Sequence, residues 1–147
     1  PLKLLAETGL GYLTLGQASN TLSGGEAQRL KLVTELIKGR RVSRNALMKG
    51  KELPGDLYLI EEPSIGLHPR DVRLLIDVLH RLADQGNTVI VIEHNTEIMA
   101  EADYIIDMGP GPGEAGGTIV AEGTPEQIAK KNSPTAEYIR RELDEGK

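Results

Sequence analysis

Carboxylates stand in two places where they are costly to keep charged. Residues 57–69 read LYLIEEPSIGLHP, so Glu61 and Glu62 sit side by side directly after an apolar run. Residues 88–95 read TVIVIEHN, and there a second apolar run ends in Glu93 and His94. Adjacent carboxylates repel, and burial disfavours their ionised form, so the pair calls for a positive partner. A phosphate-bound divalent cation would be such a partner. One glutamate could hold the metal through water while the other polarises an attacking water. His94 could donate a hydrogen bond to a terminal phosphate; its other reading is a capping or structural histidine. His80 falls among surface positions of a helix, where a structural reading suffices.

A third stretch, TLSGGEAQRLKL at 21–32, points to the same ligand class. Ser23 can cap a helix and Glu26 can complete a capping box. That leaves Gly24 and Gly25 without a purpose, although a glycine inside a helix costs about 0.8–1.0 kcal/mol relative to alanine. Paired glycines at a helix start suit a backbone that a ligand must approach closely. A helix N-terminus with open amides is an anion site.

The elements needed to position these groups are legible from periodicity. LYLI (57–60) and TVIVI (88–92) are continuously apolar, the pattern of parallel strands covered on both faces. Between them, Val72, Leu75, Leu79 and Leu82 recur at helical spacing, with Asp71, Arg73, Asp77, Arg81 and Asp84 on the opposite face. Gly86-Asn87 stops that helix. The βαβ unit so formed brings both acidic strand ends to the carboxyl edge of a sheet, where ligands of open α/β folds bind. Two shorter strands are expected around 104–107 and 118–122. Thr124-Pro125-Glu126-Gln127 and Ser133-Pro134 each announce a helix, the last carrying Tyr138, Ile139 and Leu143. Upstream, Leu30, Val33 and Ile37 predict an amphipathic helix that ends near Gly39.

The segment 38–51 gathers Lys38, Arg40, Arg41, Arg44, Lys49 and Lys51 with no acid among them. It reads either as a solvated loop or as a cationic finger near nucleic acid, without aromatic residues for base stacking. The whole chain offers no such attraction, since 17 basic against 22 acidic residues leave a net charge of −5. Its 147 residues are one domain's worth, with 39% hydrophobic and 27% charged residues as in globular proteins. The lack of cysteine excludes disulfides and thiolate metal sites. No apolar stretch reaches membrane-span length and the start lacks a signal-peptide layout, so a soluble, cytoplasmic α/β protein is expected. An initial Pro suggests a piece of a longer chain.

These motifs, in this order and spacing, resemble the ATP-binding-cassette (ABC) family. LSGGEAQRL looks like its signature motif, LYLIEE like Walker B plus the catalytic glutamate, PSIGLHP like the D-loop and IEHN like the H-loop. Transporter cassettes usually follow the glutamate with S-A-L-D, whereas this chain has Ser64-Ile65-Gly66-Leu67-His68. GGEAQRLKL, GLHP, DQGNTVIVIEHN and ADYIIDMGPGPGEAGGTIVAEGTPEQIA together look like the UvrA family, the damage-recognition ATPases of bacterial excision nucleases. GLGYLTLGQASNTLSGGE (9–26) is most similar to the approach to that family's second cassette.

The resemblance, from about residue 4 to 130, implies a partial P-loop NTPase (ABC ATPase) fold, a mainly parallel sheet flanked by helices. It makes 1–130 the C-terminal part of a cassette, with 38–51 as a basic insert, and 131–147 a terminal helix or tail. No G-x-x-x-x-G-K-[ST] loop is present, and GPGPGEAGGT (109–118) lacks the lysine, contains Glu114 and carries prolines that remove amide donors. The Walker A strand, loop and helix are therefore expected upstream, together with the family's zinc-binding insertions.

By resemblance the cofactors are ATP and Mg²⁺. Glu62 and His94 are the catalytic pair, and Glu61 holds Mg²⁺ through water. Ser23, Gly24, Gly25, Glu26, Gln28, Ser64, Gly66 and His68 face ATP. The signature residues would serve nucleotide held by an opposite cassette. Expected partners are DNA, a second cassette or second copy of the protein and a UvrB-like subunit, without a membrane. Glu61 stands where the family usually has Asp, and the basic insert is longer than usual, which fits a UvrA-like paralogue. Two other readings are a transporter nucleotide-binding subunit and a non-hydrolysing dimerisation or regulatory module.

Overall fold

A computed structural model describes residues 2–47, 55–111 and 116–145, and the side chains of all of these except residue 7 and residues 38–47. They divide into two compact units, residues 1–93 and 94–147. This division falls between Glu93 and His94.

The first unit contains the expected crossover: β1 (Leu57–Glu61), α3 (Pro69–Ala83) and β2 (Thr88–Ile92). The strands run parallel, with Leu57 opposite Thr88 and Glu61 opposite Ile92. Pro69 opens α3, and His68 caps it, its Nδ1 accepting the Arg70 N–H at 3.3 Å. One stripe of the helix buries Val72, Leu75, Ile76, Val78, Leu79 and Leu82. Fully burying each such aliphatic side chain is worth about 1.5–3 kcal/mol. Asn87 joins the end of α3 to the start of β1: its Nδ2 donates to Leu82 O at 2.8 Å, and its Oδ1 accepts from Asp56 N at 3.0 Å. Gly86, at φ 86°, makes the turn that permits this.

Two expectations need correction. The strands were read as covered on both faces, but only one face packs. Ile60 is buried, while Leu57, Leu59, Ile90 and Ile92 are at least half exposed. The alternation follows from strand geometry: successive side chains point to opposite sides, and among the described residues α3 packs against one side of the two-stranded sheet. The second correction concerns α2, which spans Gly24–Leu47 and does not stop near Gly39. One glycine costs only about 1 kcal/mol, and the neighbouring Lys, Arg, Ala and Leu residues favour helix. The backbone of residues 38–47 is therefore helical and not a loop. Lys49 and Lys51 lie outside the described residues.

Preceding α2 are α1 (Leu2–Glu7) and a 3₁₀ turn at Ser19–Thr21. Leu4, Leu10, Leu32, Val33 and Leu36 join the buried residues of this unit.

The second unit holds α4 (Thr96–Ala100), the antiparallel strands β3 (Ile105–Gly109) and β4 (Thr118–Gly123), α5 (Pro125–Ile128) and α6 (Pro134–Glu145). GPGPGEAGGT starts on the last residue of β3 and runs into β4, with residues 112–115 outside the described set. Ile105, Ala121, Ile128, Ala136 and Ile139 form the core, flanked by Met99, Ala102, Ala129 and Leu143. Both predicted start signals act as caps. Thr124 and Gln127 form a reciprocal capping box, and Ser133 Oγ accepts the Ala136 N–H at 3.2 Å. Among the described residues, no helix is long and apolar enough to cross a membrane.

Candidate functional site

Parallel pairing places the ends of β1 and β2 at one edge, as the crossover requires. The ladder continues one bond past Glu61: the Glu62 N–H donates to Ile92 O at 2.8 Å. Glu62 then turns sharply, with φ at 43°, the only non-glycine with positive φ among the described residues. For a residue with a Cβ, the left-handed region costs roughly 1–2 kcal/mol. Strain of this kind persists where surrounding structure enforces it, and it gathers at functional sites.

The enforcement comes from side chains far away in sequence. Gln28 Nε2 donates to Glu61 O at 2.9 Å, and Arg29 Nη1 donates to Pro63 O and Ile65 O, each at 3.3 Å. Glu93 Oε1 accepts the Ser64 N–H at 2.8 Å. Pro63 and Ser64 are buried, whereas Gly66 and His68 are exposed. Thus Glu61, Glu62, Ser64 and the start of α2 share one assembly. His94 is exposed and opens the second unit.

At the start of α2, the Ser23–Glu26 capping box forms as expected. Glu26 N donates to Ser23 Oγ at 3.3 Å, and Glu26 Oε2 accepts the Ser23 N–H at 2.6 Å. Tyr12 was absent from the sequence reading, yet its hydroxyl donates to Glu26 Oε1. The hydrogen bonds from Tyr12 and Ser23 hold the Glu26 carboxyl below its ordinary range. The same carboxylate pushes the Tyr12 hydroxyl up. The first bond of the helix proper is donated by Ala27 to Ser23 O. The amides of Gly24 and Gly25 therefore precede the intrahelical ladder.

The two glycines serve different purposes. A Cβ on Gly24 would meet nothing within 4 Å, so its backbone is open to an approaching ligand. A Cβ on Gly25 would lie 3.2 Å from Arg29 Nη1 and 3.3 Å from Ile65 O. Gly25 thus lets the helix start press against the loop after β1. Arg29 gave no signal in the sequence, where the expected apolar stripe ran through Leu30, Val33 and Ile37. The structure instead buries Arg29 with Leu32, Val33 and Leu36 and leaves Leu30 and Ile37 half-buried.

The donor chemistry fits Mg²⁺ held with phosphates. That ion takes only one or two carboxylates beside phosphate and water oxygens. Glu61 presents an exposed side chain at the strand end while Gln28 engages its carbonyl. Among the described residues no group of three His, Cys, Asp or Glu could form a protein-only metal cage.

A parallel strand pair with acidic ends, bonded to a Ser-Gly-Gly helix start, fits a segment of the ABC-type P-loop fold. The solved structure of UvrA2 from Deinococcus radiodurans superposes on it with a TM-score of 0.80 and 46% identity, covering 96% of this chain and 16% of that one. The chain is 52% identical over 140 residues to UvrABC system protein A of Thermus thermophilus, spanning 95% of this chain and 13% of that protein. It is 53% identical over 143 residues to the Aquifex aeolicus protein, spanning 97% and 14%. No family model matches it. The chain belongs to the UvrA family, which decides against the transporter reading, and it spans 13–14% of the length of these curated relatives.

Proposed function

We propose that this chain is the C-terminal part of the second nucleotide-binding cassette of a UvrA-type ATPase, which couples ATP binding and hydrolysis to recognition of damaged DNA in nucleotide excision repair. The observation that carries this reading is the left-handed Glu62 at the end of β1, with the signature helix bonded to the carbonyls on either side of it. Strained backbone enforced by distant side chains is expected of a group that must aim a carboxylate.

Glu62 orients the attacking water and accepts its proton. Glu61 holds the water shell of Mg²⁺, which when bound neutralises phosphate charge. His94 donates a hydrogen bond to the terminal phosphate. Ser23, Gly24 and Gly25 present hydroxyl and amides to nucleotide carried by an opposing cassette, with Glu26 holding the helix start in shape. Ser64, Gly66 and His68 complete the loop on that side. A second copy of the protein, DNA and a UvrB-like subunit are the partners of this reading.

In the full-length protein, Glu62→Gln removes the proton acceptor but keeps the size and hydrogen-bonding shape of the side chain. Steady-state hydrolysis should fall about 100-fold or more while ATP binding is retained. Wild-type turnover in that variant would overturn the assignment. The basic half of α2 adds a second test. Deleting residues 40–51 should weaken DNA binding and flatten its dependence on salt, because each lost phosphate contact reduces the slope. An unchanged slope would remove this segment from the DNA-binding surface.

A further inference from the structure

Arg29 lies one turn into α2 at 4% exposure. Its Nη1 bridges the carbonyls of Pro63 and Ile65, and its Nε is buried without a hydrogen-bond partner among the described residues. Removing a guanidinium from water is costly, so a position serving only to fill space would be apolar. The neighbours on both sides add to the pattern. Gln28 holds the carbonyl of Glu61, and Glu93 holds the amide of Ser64. Glu61, Pro63, Ser64 and Ile65 are each fixed by a side chain, and the residue enclosed by them, Glu62, is the one at φ 43°. The near contact between Gly25 and both Ile65 O and Arg29 Nη1 ties the glycine start of the helix to the same carbonyls.

We propose that Arg29 is a positioning residue for ATP hydrolysis. By bridging Pro63 O and Ile65 O it keeps Glu62 in its left-handed backbone, and it couples that geometry to the Gly24–Gly25 end of α2. This rests on the reading of Glu62 as the group that activates water. Arg29 touches main chain and not substrate, so its effect falls on turnover and not on nucleotide affinity.

The test uses the full-length ATPase with Arg29→Met, which keeps a long apolar stem without donors, and Arg29→Lys, which keeps a charged donor. Thermal midpoints are recorded beside steady-state kinetics. Arg29→Met should lower kcat about tenfold or more, with KM for ATP within about twofold, since small misplacements of a reacting group cost orders of magnitude in rate. Arg29→Lys should recover part of that loss. If Arg29→Met does not fold, a folded Arg29→Lys with reduced kcat and unchanged KM supports the proposal. Wild-type kcat in folded Arg29→Met, wild-type kcat in Arg29→Lys where Arg29→Met does not fold, or a parallel change of kcat and KM overturns it. Glu62→Gln separates the two readings. If hydrolysis is lost in Glu62→Gln but intact in the Arg29 variants, only the role of Arg29 fails. If hydrolysis does not depend on Glu62, the functional reading fails and this proposal falls with it.

Discussion

The main chain of residues 61–65 is hydrogen-bonded to side chains 29 to 36 positions away, accepting from Gln28 and Arg29 and donating to Glu93. In the second unit, Ile105, Ala121, Ile128, Ala136 and Ile139 bury against one another, and the helices beside them are capped by residues three positions away. The first arrangement spends polar groups on holding one strained residue. The second spends apolar area on a core and polar groups on local helix ends. Apolar packing is non-directional and gives stability. Hydrogen bonds from distant side chains to main chain give direction, and they appear where a carboxylate has to be aimed.

Changes that separate burial from positioning sharpen this contrast. The largest effect is expected for Ile139→Ala, which removes a side chain with 0% exposure from the second core. It should lower the opening free energy of β3 and β4 by roughly 2–5 kcal/mol, read from amide hydrogen exchange. A change below about 1 kcal/mol would show that burial is not what holds that unit. Thr124→Ala removes one half of the α5 capping box. Protection at the start of α5 should fall by about 1 kcal/mol, with little change elsewhere.

Glu62→Gly tests the first region in the opposite direction. Glycine adopts positive φ freely but loses more chain entropy, so the loop should gain roughly 0.5–1 kcal/mol in protection while hydrolysis is lost. A loss of protection would mean that the Glu62 side chain supports the loop and that strain is not being held there.

The smallest effect concerns Tyr12→Phe. The Glu26 carboxyl is held below its ordinary range, first by the Tyr12 hydroxyl and then by Ser23. Its capping contribution is therefore present above the ordinary carboxylate range and is lost as pH falls through the lowered folded value. Tyr12→Phe should move the Glu26 titration upward in a carboxyl-carbon NMR experiment, so that the loss begins at higher pH. An unmoved titration would assign the effect to Ser23 alone.

Much of this molecule was legible because it depends on near neighbours in sequence. The caps at Ser23, Thr124 and Ser133, the stop at Gly86-Asn87 and the burial of Val72, Leu75, Leu79 and Leu82 along α3 are local, and each formed where expected. The strand–helix–strand crossover followed from element lengths, and it placed Glu61, Glu62 and Glu93 at one sheet edge. Where the sequence misled, a nonlocal term was missing in one case and a local one was overweighted in the other. The strands looked fully covered because apolar runs do not reveal how many neighbours a sheet has. The end of α2 was misplaced because one glycine was weighed more heavily than the helix formers around it.

The sequence by itself determined which residues can do chemistry, their order along the chain and the family to which they belong. It could do so because capping, periodicity and motif spacing are properties of a few consecutive residues. Only the tertiary structure decided how Glu62 is held. Its left-handed backbone, the two carbonyls bridged by Arg29 and the closeness that requires glycine at position 25 depend on groups brought together across some thirty residues. Such contacts exist only once α2 and the β1 loop have packed, so no short stretch of the sequence encodes them.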